Sequence, residues 1–254
     1  MLQADRLARY FGAVAAVHDL SFEARPGEVF GLLGPNGSGK SSTVKMITGL
    51  LRPTRGAVLL DGRDIGVSLR DYQAVLGYVP EEPHLYAYLT APEYLQLVGR
   101  LRRVPERTLQ PRIARLFDAL GLADDRYQTL ANFSKGMRQK VLIAAAVLHD
   151  PRVLVLDEPF SGLDVSAARV LKAFVRALAA DGKVVVFSSH ELEVVEQVCS
   201  RVVILKDGHT VGHDSVDNLR ATLRLPSLDA VFATLTSEDD VEGRTRALLA
   251  AIKD

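Results

Sequence analysis

The stretch Gly34 to Ser41 reads GPNGSGKS, the pattern GxxxxGK followed by serine or threonine. Glycines let a backbone curl until several N–H groups point inward at phosphate oxygens. A helix that starts where such a loop ends adds the positive pole of its dipole. Lys40 is the cation that would reach the β- and γ-phosphates of a nucleotide, and the Ser41 hydroxyl would ligate Mg²⁺. A second set of candidates lies far along the chain in VLVLDEP, where an apolar run ends in Asp157 and Glu158. A strand that ends in two acids delivers carboxylates to the C-terminal edge of a parallel sheet, where α/β folds bind ligands. Asp157 can hold Mg²⁺ through water, and Glu158 can take a proton from a water attacking the γ-phosphate. Consecutive side chains point to opposite faces of a strand, so only a strand end lets both acids serve one site. A third feature is YVPEEPHLY (78–86), which sets Glu81 and Glu82 straight after a proline between apolar residues.

The elements that must position these groups are legible in outline. EVFGLL (28–33) reads as a strand, the glycine loop follows, and TVKMITGLL (43–51) suits a helix. AVLLDG (57–62) and AVLGYV (74–79) read as further strands ended by turn signals. From about residue 81 helical periodicity takes over. Thr90, Pro92 and Glu93 make a capping box, and Tyr94, Leu97, Val98 and Leu101 repeat at helical spacing. PRIARLFDALGL (111–122) and KGMRQKVLIAAAVLHD (135–150) extend the helical block. Strands return with RVLVLDEP (152–159) and KVVVFSSH (183–190), near-continuous apolar runs of the kind buried on both faces of a parallel sheet. Between them Leu171, Phe174, Val175 and Leu178 form one apolar helical stripe. This order argues for an α/β nucleotide-binding core interrupted by a small helical subdomain. The ending EGRTRALLAAIKD suits a short amphipathic helix.

Bulk properties exclude several roles. The 254 residues carry 31 basic against 31 acidic side chains, so no global field favours a polyanion and a nucleic-acid coat is not expected. Arg100, Arg102, Arg103 and Arg107 read as the solvated face of a helix. The single cysteine, Cys199, cannot form an internal disulfide and reads as a small buried hydrophobe. MLQADRLARYFG has charges where a cleavable apolar core would sit, and VLIAAAVL (141–148) falls far short of the roughly 20 apolar residues that span a bilayer. The chain is expected to be soluble by itself, without direct membrane insertion, and any membrane role to come through a partner. His84, Leu85, Tyr86 and Tyr88 suit either a partner-binding groove or core packing.

FSKGMRQK (133–140), just ahead of the second acidic strand, resembles the signature motif of ATP-binding cassette (ABC) ATPases, usually written LSGGQ. LARYFGAVAAVHDLSF resembles the family's adenine-stacking loop, SGLD (161–164) its D-loop, and His190 its switch histidine. The resemblance runs over roughly residues 2–215. It implies a P-loop NTPase (RecA-like) core with an inserted helical subdomain and N-terminal antiparallel β elements. Residues 1–80 and 151–220 would form the nucleotide-binding lobe, 81–150 the signature subdomain and 221–254 a helical tail.

The resemblance also assigns roles. Asn36, Gly37, Ser38, Gly39, Lys40, Ser41 and Ser42 would bind ATP, with Phe11, or its neighbour Tyr10, under the adenine. Ser134 would cap the helix carrying Gly136, making an anion site that closes on the γ-phosphate held by another subunit, with Asp164 working across the same interface. Lys40, Glu158 and His190 would be catalytic, and Ser41 and Asp157 would hold Mg²⁺. Glu81 stands where the family has a glutamine that contacts Mg²⁺ and the attacking water. A carboxylate is a harder ligand than an amide, so the role survives the change; the alternative is a plain loop carboxylate. The implied function is the ATP-hydrolysing subunit of a transporter. It would work at the cytoplasmic face of the membrane as a homodimer, or with a paralogous cassette, bound to separate permease subunits. YVPEEPHLYAYLT, FSKGM and SLDAVFATLT look more like exporter-type cassettes. The alternatives are a soluble cassette ATPase acting in cofactor or complex assembly, and a cassette that binds nucleotide without turnover, which the intact site residues disfavour.

Overall fold

The computed structural model describes residues 1–82 and 84–236. In chain order, β1 (Leu2–Phe11) and β2 (Val14–Ala24) form a hairpin. β3 (Val29–Leu33) leads through the glycine loop into α1 (Lys40–Ile47), and β4 (Arg55–Leu60) pairs with the short β5 (Arg63–Asp64). After α2 (Leu69–Val75) and β6 (Leu76–Val79) come three helices, α3 (Ala91–Leu101), α4 (Glu106–Ala119) and α5 (Lys135–Val147). β7 (Val153–Asp157), α6 (Val165–Ala180), β8 (Val184–Ser188) and α7 (Leu192–Val198) return the chain to the sheet. β9 (Arg201–Lys206), β10 (His209–Ser215), α8 (Val216–Leu223) and α9 (Leu228–Thr236) follow.

The main sheet runs β10-β9-β3-β8-β7-β6, parallel except for the edge strand β10. Its three central strands, β3, β8 and β7, are buried at every residue, which is why they read as unbroken apolar runs. Alternate residues serve opposite cores. Leu154 and Leu156 of β7, with Val185 and Phe187 of β8, pack against α6, α7 and α9, while Val153, Val155, Val184 and Val186 face α1 and the second sheet. That second sheet is antiparallel, in the order β2-β1-β4-β5. The helical block has a core of its own, built from Leu95, Leu109, Ile113, Phe117, Val141 and Leu148. The fold is thus the α/β, P-loop architecture with antiparallel N-terminal strands that the motifs implied.

Several local expectations change. AVLGYV is a strand only from Leu76, because Ala74 and Val75 finish α2. The helix placed at 111–122 begins at Glu106 and runs through Pro111, since Leu109, Ile113 and Phe117 bury one stripe across the proline and that packing outweighs the lost hydrogen bond. The helix placed at 135–150 ends at Val147. The Thr90–Glu93 capping box is present, but the stripe on α3 is turned. Ala91, Leu95 and Gly99 are buried, whereas Leu97 and Leu101 are exposed. Alanine and glycine face inward because α4 packs close: a Cβ on Gly99 would collide with Leu109. The helix expected in EGRTRALLAAIKD lies outside the described residues.

Candidate functional site

β8 lies between β3 and β7, so the glycine loop, the acids that end β7 and the Ser188–His190 segment leave the sheet side by side at one edge. Together with the segment after β6 they enclose a cleft of about 580 Å³. Asn36, Gly37, Gly39, Lys40, Ser41 and Ser42 line it on one side, and Glu81, Asp157, Glu158 and His190 face them. Gly39 precedes α1 with φ +102, and a Cβ there would strike the Ala16 carbonyl, so only glycine brings the helix in at this angle. No side chain caps α1, which leaves its first-turn N–H groups free to donate to an anion. Ser38 lies behind the lining: it is buried, and its hydroxyl has no hydrogen-bond partner among the described residues.

Lys40 is half-buried, and its Nζ donates to the carbonyls of Gly34 at 2.5 Å and Pro35 at 3.0 Å. Burial lowers its pKa, and the carboxylates of Glu158, Asp157 and Glu81 oppose that shift. The lysine is folded onto its own loop, and that loop is the rim of the cleft. Asp157 pairs in register with Ser188, whose hydroxyl donates to its carboxylate. Burial raises the Asp157 pKa and the charges of Glu81 and Glu158 raise it further, while the Ser188 hydrogen bond pulls the other way. The same charges of Asp157 and Glu81, added to burial, push the neighbouring Tyr78 phenol to about 12.

Glu158 takes the left-handed conformation, φ +46, which ends the strand alternation so that it lines the same cleft as Asp157. Its N–H donates to the Ser188 carbonyl at 3.1 Å. One carboxylate oxygen, Oε1, lies 2.8 Å from His190 Nδ1, and Oε2 accepts from the Ser189 hydroxyl at 3.1 Å. Glu158 is buried while the His190 side chain is 68% exposed, so the imidazole reaches into the open cleft with its far nitrogen free for a phosphate or a water. Ser41, Asp157 and Glu81 are hard oxygen donors of the kind Mg²⁺ takes. Among the described residues no three acidic, imidazole or thiol side chains converge tightly enough to hold a metal alone. The donor set therefore fits a cation that shares its coordination with phosphate oxygens.

Other expected site residues stand apart. Phe11 is half exposed at the end of β1, with the Arg9 guanidinium 4.6 Å from its ring centroid, and it does not line the cleft. Tyr10, the neighbour considered beside it, makes a T-shaped contact with His18. Ser134 caps α5, its hydroxyl accepting from Met137 N at 3.1 Å. Asp164 caps α6, accepting from Ala167 N at 2.8 Å, and that backbone hydrogen bond is the main cause of its lowered pKa. Gly136 lies directly against the Gly162 carbonyl, and Lys135 Nζ donates to Ser161 Oγ at 2.7 Å. The segment carrying Gly136 and the loop carrying Gly162 are therefore docked on each other in one surface, and none of Ser134, Gly136 or Asp164 lines the cleft.

Ser188, Ser189 and Phe232 join the site without having been expected there from the sequence. The serines carried a usable signal, two hydroxyls closing a buried strand next to one that ends in two acids. Phe232 carried none. It lies on α9 and lines the cleft only because α9 packs against α7, the helix that follows His190.

The sequence profile described as "ABC transporter" matches residues 17–161. The chain is 40% identical over 208 residues to an uncharacterized ABC transporter ATP-binding protein of Nostoc, an alignment that spans 81% of this chain and 62% of that one. With the linearmycin resistance ATP-binding protein LnrL of Bacillus subtilis it shares 35% identity over 211 residues, 83% of this chain and 68% of the relative. A solved ATP-binding subunit of an ABC transporter superposes with a TM-score of 0.87 at 34% identity, covering 92% of this chain and 99% of that structure.

Proposed function

The chain belongs to the ABC transporter family of ATP-binding subunits, and from that premise we propose that it binds and hydrolyses ATP as one of two cassettes that together drive a membrane permease. The observation that carries this reading is the split of the site. The groups that hold phosphates and move a proton share one cleft, while Ser134, Gly136 and Asp164 form a second, separate surface on the same chain. Each surface is half of a site, and two copies facing each other supply both halves twice.

In this scheme the loop N–H groups from Asn36 to Ser42 and the Lys40 ammonium cradle the phosphates, and Phe11 stacks on the base. Ser41, Asp157 and Glu81 would hold Mg²⁺, which would supply neutralisation of phosphate charge. Glu158 takes the proton of the attacking water, and His190, the exposed partner of the Glu158 carboxylate, turns to meet the γ-phosphate. Ser134, the N–H groups after it and the α5 dipole close on the same phosphate from the partner cassette. Residues 1–80 with 151–220, joined by Glu81, carry the first half-site, and the second unites Ser134 and Gly136 of 81–150 with Asp164 of the larger lobe, so the approach of two facing cassettes is the movement passed to the permease. ATP closes the pair and hydrolysis reopens it.

No described helix is long and apolar enough to cross a membrane; in this reading the chain sits at the cytoplasmic face, held by permease subunits. Export is the direction favoured by the exporter-like motifs, and the resistance function in the name of LnrL agrees with it. The test is to tag the protein in its own cells, solubilise the membranes gently and identify what co-purifies. A partner with several membrane-spanning segments is the expected result. Purely soluble partners, with the protein absent from membranes, would overturn the transporter reading in favour of an assembly ATPase.

A further inference from the structure

The two acids that end β7 are each held by a serine from the end of β8. Ser188 donates to Asp157, and Ser189 donates to Glu158 Oε2 at 3.1 Å. Ser189 is 2% exposed, and its oxygen also accepts from the Glu191 backbone N–H at 3.1 Å. Because an amide hydrogen already points at that oxygen, the single hydroxyl proton is directed away from it and toward the carboxylate. The relay from Glu191 N–H through Ser189 to Glu158 thus has a fixed sense. Glu158 needs such a hold. Its backbone is in the left-handed region, sparsely populated for a residue with a Cβ, and among the described residues its other oxygen is held only by His190, an exposed side chain.

We propose that Ser189 is a positioning residue for hydrolysis, one that keeps the Glu158 carboxylate aimed into the cleft while His190 is free to move onto the phosphate. The division of labour follows from burial. The ring that must respond to nucleotide is exposed, and the hydroxyl that must stay put is enclosed. Ser189 does not line the cleft, so it acts only through Glu158. Without the hydroxyl the carboxylate keeps one mobile partner and spends part of its time misdirected, which lowers turnover without touching the groups that bind ATP.

This inference rests on Glu158 as the base. Steady-state ATPase kinetics should therefore be measured side by side on the full-length wild type, Ser189→Ala, Ser189→Thr and Glu158→Gln, with thermal melting of each. Ser189→Ala is expected to lower kcat about tenfold, the scale of one hydrogen bond to a charged group, with KM for ATP within about twofold and the melting midpoint little changed. Ser189→Thr, which restores the hydroxyl, is expected to recover most of kcat. If threonine overfills the buried position and melts early, Ser189→Cys, a weak donor of similar size, takes its place and should fall between serine and alanine. Unchanged kcat in Ser189→Ala, or a loss that hydroxyl-restoring variants fail to recover while folded, would overturn the proposal. Activity surviving in Glu158→Gln would instead overturn the assignment of the base.

Discussion

Replacing Gly136 by alanine tests whether the signature and D-loop act as one docked surface. A Cβ built at Gly136 falls well inside 3.0 Å of the Gly162 carbonyl oxygen, closer than real Cβ atoms come, and the obstacle is backbone that cannot swing aside as a side chain would. Reaching ordinary contact at 3.4 Å requires the two segments to separate by roughly 1 Å. Overpacking of this kind costs about 1–3 kcal/mol when it is buried. Here the strain falls on an exposed loop, Ser161–Asp164, so the lower end applies, and a melting midpoint lower by a few degrees is expected. Activity should fall much further. The same 1 Å displaces Ser134 and Asp164 relative to each other, and in the proposed pair both meet the partner's nucleotide in one closed geometry, where such an error is worth on the order of 100-fold. Nucleotide binding by the separate P-loop cleft should persist, read by a fluorescent ATP analogue, while ATPase activity is lost. A Gly136→Ala protein with wild-type kcat would refute the reasoning, as would one that loses nucleotide binding and activity together.

Further expectations follow from the electrostatics of the cleft. Burial raises the folded-state pKa of Asp157 above its unfolded value, so its contribution to stability is fully present below the unfolded pKa and is lost as pH rises through the folded one. At neutral pH the ionised group is a net cost. Asp157→Asn, which can still accept from Ser188, should therefore melt higher than wild type at pH 7 and lose hydrolysis; a lower midpoint would contradict the desolvation account. Glu81→Gln removes a negative charge that helps raise the Asp157 pKa. Its ATPase should need severalfold more Mg²⁺ for half-maximal rate and hold activity to lower pH, whereas identical Mg²⁺ and pH profiles would make Glu81 a plain loop carboxylate.

What could be read in the chain beforehand divides along physical lines. The glycine loop and the acids ending VLVLDEP were legible because local geometry needs those residue types at that spacing, and the sheet placed them as expected. The second half-site was legible as motifs but not as a surface, since the contact of Gly136 with Gly162 joins positions far apart in sequence. Ser189 was missed because its signal is not local: two hydroxyls close the β8 run, but only the register of β7 against β8, with Ser188 opposite Asp157, brings Ser189 to Glu158. The turned stripe on α3 has a similar origin. Leu97 and Leu101 fit helical spacing as well as Leu95 does, and only the close approach of α4 at Gly99 decides which face is inside.

The central claim is that each chain holds two halves of different sites, which two copies complete. The most direct measurement is sedimentation of Glu158→Gln with saturating ATP, set beside the wild type without nucleotide. A slowly dissociating dimer holding two ATP, lost when Ser134→Ala is added, is the result the account predicts. A Glu158→Gln chain that binds ATP tightly yet sediments as a monomer would contradict it.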